Sequence, residues 1–163
     1  MPADSQGKVA DADAIQPRDI VWLDARHLIP TRGNVTHTWS HYAICLYHYY
    51  QNAALRDLIV SGTVFQFVCI SSITKSQPFD PARQVRLDHD DPNTGLTRPS
   101  AACVDFAPSV LVTIEGQNHV LDGVRRLVDP VVRRVSPTHF HAVLNLFNHY
   151  WSEIARRRKQ QKP

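Results

Sequence analysis

Asp19–Gly33, DIVWLDARHLIPTRG, is the stretch whose reading decides the fold. Its first six residues read as a short strand. Val21 and Leu23 fall on one face, Trp22 and Asp24 on the other, because side chains alternate along a strand. A loop ending in Pro30-Thr31-Arg32-Gly33 follows. Outward from this stretch, strand-like segments recur at Tyr42–Tyr49, Thr63–Ser71, Arg83–Asp88, Ala101–Phe106 and Val110–Glu115. They are rich in Val, Ile, Phe, Tyr and Cys, and turn residues such as Pro78, Pro81, Pro92-Asn93, Gly95 and Pro99 separate them. Asn52–Ile59 is expected to form a short helix. Gln117–Val132 has no assignment, since Gly123 and Pro130 limit any helix there.

The last element is the clearest. Ser136 suits an N-cap and Pro137 the first helical position. Phe140, Val143, Leu144, Phe147, Tyr150, Trp151 and Ile154 recur at helical spacing and form a wide apolar stripe. The predicted fold is therefore mainly β, a small, strongly curved sheet or barrel with a C-terminal α-helix packed on it.

Length and composition bound the rest. The chain has 163 residues, 43% hydrophobic and 20% charged, as expected of one soluble domain with a substantial core. No apolar run approaches the ~18–20 residues that span a bilayer, so no membrane is expected. The opening residues, MPADSQGKVADADAIQ, have neither a basic start nor an apolar stretch, so they predict a disordered lead over 1–16 and no secretory signal. Cys45, Cys69 and Cys103 are odd in number and sit in apolar runs, which predicts buried thiols in a cytoplasmic protein. The net charge is +3, but the body between residues 17 and 154 is neutral. The positive charge lies in Arg156, Arg157, Arg158, Lys159 and Lys162, a basic tail over 155–163. That tail reads either as a solvated helix end or as a contact for nucleic acid or an acidic partner.

Three later segments, in order with the first, carry a resemblance. They are Phe67-Val68-Cys69-Ile70-Ser71-Ser72 running on to Pro78-Phe79, then Thr94-Gly95-Leu96-Thr97-Arg98-Pro99-Ser100 through Asp105, and finally Val132-Arg133-Arg134-Val135-Ser136-Pro137. With the opening strand and its Pro-Thr-Arg-Gly loop, this collinear set resembles the MazF/PemK toxins of type II toxin–antitoxin pairs, from about residue 18 to 151. The resemblance implies an SH3-like barrel of bent antiparallel strands with a C-terminal helix. It implies a metal-independent endoribonuclease that needs no cofactor and cuts single-stranded mRNA by attack of a ribose 2′-OH. It also implies a homodimer neutralised by an antitoxin.

That chemistry needs a base, an acid, and a cation for the phosphorane charge. Ser72 stands where the family has a catalytic or substrate-binding threonine, and Asp105 matches an acid that acts in the PemK branch. Many members place an Arg-Pro at the start of the second strand; here the pair is His41-Tyr42. His41, with His37 nearby, reads either as a proton-transfer residue titrating near neutrality or as an ordinary strand residue in a decayed site. Arg32 is expected at the phosphate, with Trp39 stacking a base and with Thr74 and Arg98 also touching RNA. Trp39 reads equally as an interface residue. The competing reading of the whole chain is a non-catalytic binding protein of the same fold, directed at RNA, an antitoxin peptide or a gyrase-like protein target.

Other signals are weak. No His or Cys pair has the spacing of a zinc site, so no metal is expected. Asp88–Gly95, although acidic, lacks the glycine and closing glutamate of a calcium loop and reads as a turn. Neither a phosphate-binding Gly-rich loop nor a Gly-x-Ser-x-Gly elbow is present.

Overall fold

The computed structural model describes residues 9–11, 15–23, 41–55, 58–113, 120–126 and 133–161, with backbone alone at 9–11, 51–55, 58–61, 110–113 and 120–126. Among these, eight strands and one helix follow in the order β1 (Val9–Asp11), β2 (Ile20–Leu23), β3 (His41–Leu55), β4 (Leu58–Ser72), β5 (Gln84–Leu87), β6 (Ser100–Cys103), β7 (Ser109–Thr113), β8 (Val120–Arg126) and α1 (Pro137–Gln160). All pairings are antiparallel, in the order β1-β8-β2-β3-β4-β6-β5, with β7 also on β4. The fold is thus mainly β and barrel-like, with the C-terminal helix packed on it. No helix among the described residues is long and apolar enough to cross a membrane.

The central strands are buried on both faces, which explains their unbroken apolar runs. Val21, Leu23, Ala43, Cys45, Phe65, Phe67 and Cys69 pack with Ile15 on one face. On the other, Ile20, Ile44, Leu46, Val68, Ile70 and Ala102 meet Val143 and Phe147 of α1. A bulge at Leu46, between the pairs Cys45↔Phe67 and Tyr47↔Gln66, keeps both Leu46 and Tyr47 against the helix. Each fully buried side chain of this size stabilises the fold by about 1.5–3 kcal/mol before chain entropy is charged against it.

The helix starts as its sequence predicts. Ser136 caps it, its hydroxyl accepting from the His139 amide at 3.2 Å, and Pro137 stands in the first turn. Its apolar stripe buries Val143 and Phe147 and half-buries Phe140, Leu144, Tyr150 and Trp151. The basic residues 156–159 continue the helix and are exposed.

Two expectations are corrected, and one open stretch gains a strand. Asn52–Ile59 is not a helix. Its described residues extend β3 and open β4, with Asn52↔Ser61, Ala54↔Ile59 and Leu55↔Leu58 in register. The helix-forming Ala and Leu there lose to a ladder that continues without a break from Ala43↔Cys69 except at the bulge. The lead over 1–16 is not wholly disordered, because Val9–Asp11 pairs with β8 and Ile15 is buried at 1% exposure. The unassigned stretch 117–132 contains β8, which lies between β1 and β2.

β4 changes neighbour partway. Cys69–Ser72 pairs with β6, whereas Gly62–Gln66 pairs with β7. The connection between them, 104–108, turns a corner against β4. The Phe67 and Cys69 amides donate to the Pro108 and Phe106 carbonyls at 3.0 and 2.9 Å. Gln66 is buried at 2% exposure. Its amide nitrogen donates to the carbonyls of Phe67, Ala107 and Pro108 at 3.0, 3.1 and 3.2 Å, and its oxygen accepts from Ser109 Oγ at 2.8 Å. Replacing it by an apolar side chain removes this donor from the interior, while the Pro108 carbonyl keeps its bond from the Phe67 amide. Gln66→Leu is expected to lower stability by about 2–4 kcal/mol, measured by urea denaturation monitored through tryptophan fluorescence.

Candidate functional site

The corner carries Asp105, and the β4–β5 connection brings Arg83 to meet it. Asp80 opens a turn: its carboxylate accepts from the Ala82 amide at 3.0 Å and from Arg83 Nε at 2.8 Å. The Arg83 carbonyl accepts from the Val104 amide at 2.9 Å, which registers the arginine beside the corner. From there Arg83 Nη1 reaches Asp105 Oδ2 at 3.1 Å. The two carboxylates are not equivalent. The backbone hydrogen bond from Ala82, then the bond from Arg83, holds Asp80 below the usual carboxylate range. Asp105 receives the Arg83 guanidinium on one oxygen, Oδ2.

These groups line a cleft of about 460 Å³ together with Ser71, Ser72, Gln77, Cys103 and Phe106. Thr74 shapes one rim, since its hydroxyl accepts from the Gln77 amide at 3.0 Å and pairs with Ser76 at 3.1 Å. Gln84 supports the floor. It accepts from the Asp80 amide at 2.9 Å and donates to Cys103 Sγ at 3.3 Å. Trp151 Nε1 donates to the Val104 carbonyl at 2.8 Å, so α1 is pinned next to Asp105. Tyr150 lies close enough for its phenol to be pushed up by burial and by Asp105, with Arg83 and Arg157 opposing.

Ser71 and Ser72 also form one wall of a second cavity of about 580 Å³. Trp22 and Tyr42, ladder partners on β2 and β3, meet edge to face there with ring centroids 4.7 Å apart. Arg98 and Arg133 supply two guanidiniums, and Ser100 and Thr97 add hydroxyls. Gly95 sets the position of Arg133. It has φ +65°, and a Cβ on it would stand 2.5 Å from Arg133 Nε. The positive φ favours glycine there, and any side chain would also push the Arg133 guanidinium out of its place. The surrounding turn is held by Thr94, whose hydroxyl donates to the Asp91 carbonyl at 2.8 Å and accepts from the Leu96 amide at 3.2 Å. The acidic stretch 88–95 is therefore a turn, as its sequence suggests.

Among the residues expected from sequence, Ser72 and Asp105 share the first cleft, and Ser72 and Arg98 share the second cavity. Thr74 is a turn residue at the rim. His41 stands one ring behind the cleft, edge-on to Phe106 with centroids 5.1 Å apart. Arg32, His37 and Trp39 lie outside the described residues. Arg83, Arg133, Trp22 and Tyr42 were not anticipated as site residues. The Asp80–Arg83 spacing was a signal for the first, but its meaning depends on the Gln84↔Cys103 register, which is long-range. Among the described residues, no three His, Cys, Asp or Glu side chains gather as metal ligands would.

All three thiols are buried, as expected. Burial, then Asp19, pushes Cys45 up to about 12. Burial raises Cys69 and Cys103 as well, although hydrogen bonds from Ser71 and Gln84 oppose the rise at Cys103. At pH 8 the folded chain should therefore react slowly with a disulfide reagent such as Ellman's, and all three cysteines should react once it is unfolded. The unfolded thiols ionise near pH 9 while the folded ones stay protonated, so the unfolded state binds fewer protons there. Stability should then fall as pH rises above 9, read as a lower urea midpoint.

No protein-family model matches this chain, and no curated protein matches it.

Proposed function

We propose that the chain is a metal-independent endoribonuclease cutting single-stranded RNA, a divergent MazF/PemK-like toxin. One observation carries the reading: an Arg83–Asp105 pair in a cleft whose serine wall is shared with an aromatic cavity holding two arginines. Trp22 and Tyr42 offer faces and edges to a base, and Arg98 and Arg133 suit phosphates on either side of it. Threading across Ser71–Ser72 then delivers the next phosphate to Arg83 and its ribose to Asp105.

In this mechanism Asp105 takes the proton from the 2′-OH, whose oxygen attacks the adjacent phosphorus. Arg83, whose charge Asp80 secures, neutralises the phosphorane together with the Ser72 hydroxyl. The bond to the 5′-oxygen breaks on the opposite face, the leaving oxygen takes a proton from water, Asp105 returns its proton to the solvent hydroxide so formed, and a 2′,3′-cyclic phosphate remains. His41 acts on this reading through Phe106 and not on the substrate. The resemblance further supports a cytoplasmic homodimer, held inactive by an antitoxin peptide.

The second reading is a binding protein of the same fold that has lost cleavage. The placement of His41 behind Phe106, where family members have an exposed arginine, favours it.

Purified protein incubated with RNA in EDTA separates the two. The expected products end in 2′,3′-cyclic phosphate, and Asp105→Asn and Arg83→Gln should each slow cleavage by about 10²–10³-fold with RNA binding retained. RNA binding with no cleavage in the unaltered chain would establish the second reading instead.

A further inference from the structure

The basic end of α1 is the largest charged feature that the cleft and its cavity do not absorb. Its geometry is specific. Trp151 pins the helix to the Val104 carbonyl at 2.8 Å, and Tyr150 packs edge to face with Trp151 at 5.2 Å beside the Arg83–Asp105 corner. Seven residues make two turns of helix, so Arg157 follows Tyr150 and Arg158 follows Trp151 on the same face, about 10 Å further along the axis. Arg157 acts on Tyr150, which in turn senses Arg83 and Asp105, so the face is electrostatically continuous with the cleft.

The neighbouring cations differ. Arg156 is tied to Glu153 at 2.8 Å, and Lys159 points to the far side of the helix from Tyr150. Among the described residues no ion pair involves Arg157 or Arg158, and both are exposed. A helix end gains only a few tenths of a kcal/mol from cations near its negative pole, roughly 0.3–1 kcal/mol, and that gain does not depend on which face they take.

We propose that Arg157 and Arg158 form a track that grips the RNA backbone where the strand leaves the Arg83–Asp105 cleft. The proposal rests on the ribonuclease reading of that cleft. Two guanidiniums in line with the catalytic corner match a strand that continues beyond the cut. An acidic protein segment is the competing occupant of the same face. The track contributes affinity for long substrates and takes no part in the chemistry.

The test uses the full chain and 2′-fluoro RNA, which keeps the phosphates but lacks the attacking hydroxyl. Binding of a trinucleotide, which fits the cleft and its cavity, is compared with binding of a dodecanucleotide across a salt series. For R157Q/R158Q, dodecamer affinity should fall about tenfold and the salt slope should shrink by about 1.4, while trimer affinity stays unchanged. R156Q/K159Q removes equal charge from the wrong positions and should have little effect on either. Equal losses in the two double variants, or no loss in R157Q/R158Q, would overturn the track alone. Displacement of the dodecamer by polyglutamate of matched charge at equal concentration would assign the face to an acidic protein and overturn it too. A chain that binds neither oligonucleotide overturns the RNA reading of the cleft along with the track.

Discussion

The corner at 104–108 is the constraint on which the rest depends. β4 needs two neighbours on one edge, β6 for its end and β7 for its middle. The chain that passes from one to the other leaves carbonyls facing the interior. Buried carbonyls must be satisfied, and here a single glutamine side chain answers two of them, Ala107 and Pro108, together with the Phe67 carbonyl of β4. With Gln66 in place, the corner becomes rigid enough to carry other groups. Its Val104 carbonyl receives Trp151 and so fixes the helix. Its next residue, Asp105, faces the cleft. Sheet closure, helix docking and the acidic side chain are thus one structural event.

A second device separates two adjacent arginines. Arg133 and Arg134 lie in an extended segment, so their side chains leave on opposite sides. Arg134 Nε donates to Asp19 Oδ1 at 2.7 Å, and the Asp19 side chain is fully buried. That carboxylate also accepts from the Gln16 amide at 2.9 Å, which ties the start of β2 to the segment before the helix. Arg18 contributes from the next position, at φ 80°, by donating through Nε to the Val135 carbonyl at 2.9 Å. Arg133 goes the other way, over Gly95, into the aromatic cavity. One arginine holds the fold and its neighbour faces the site. A charge count for the segment would not distinguish them.

How much of this was legible in the sequence follows from the range of each interaction. The helix was readable because Ser136, Pro137 and the apolar stripe are all local. The faces of β2 were readable because alternation is local too. Asn52–Ile59 reads as helix by local preference, but its described residues pair within the β3–β4 hairpin, whose ladder is held by the buried pairs from Ala43↔Cys69 onward. Ser72, Asp105 and Arg98 could be placed near a site by resemblance, but nothing in their spacing said that Ser72 would divide two cavities. Arg83 needed the β5–β6 register, and Trp22 and Tyr42 needed the β2–β3 register, before either could be seen as lining anything. Gln66 gave no sign at all in a run of apolar residues, because its role is to satisfy carbonyls more than forty residues away.

On the ribonuclease reading, a histidine at position 41, where MazF/PemK toxins commonly carry an arginine, does not by itself rule out catalysis. The chemistry requires a permanent positive charge at the phosphate, but it does not require that charge to come from the start of β3. A guanidinium meets that need better than an imidazole, whose charge depends on pH. Arg83 lines the cleft itself, is always charged, and is held by Asp80 beside the carboxylate that would act as base. On the ribonuclease reading the cation is supplied by the β4–β5 connection and not by the start of β3. His41 is then released to pack against Phe106, behind the cleft and out of contact with the substrate. Such an exchange keeps the electrostatics of the reaction while changing the residue that supplies them. The residue to examine for lost activity is therefore Arg83 and not the histidine at the familiar position.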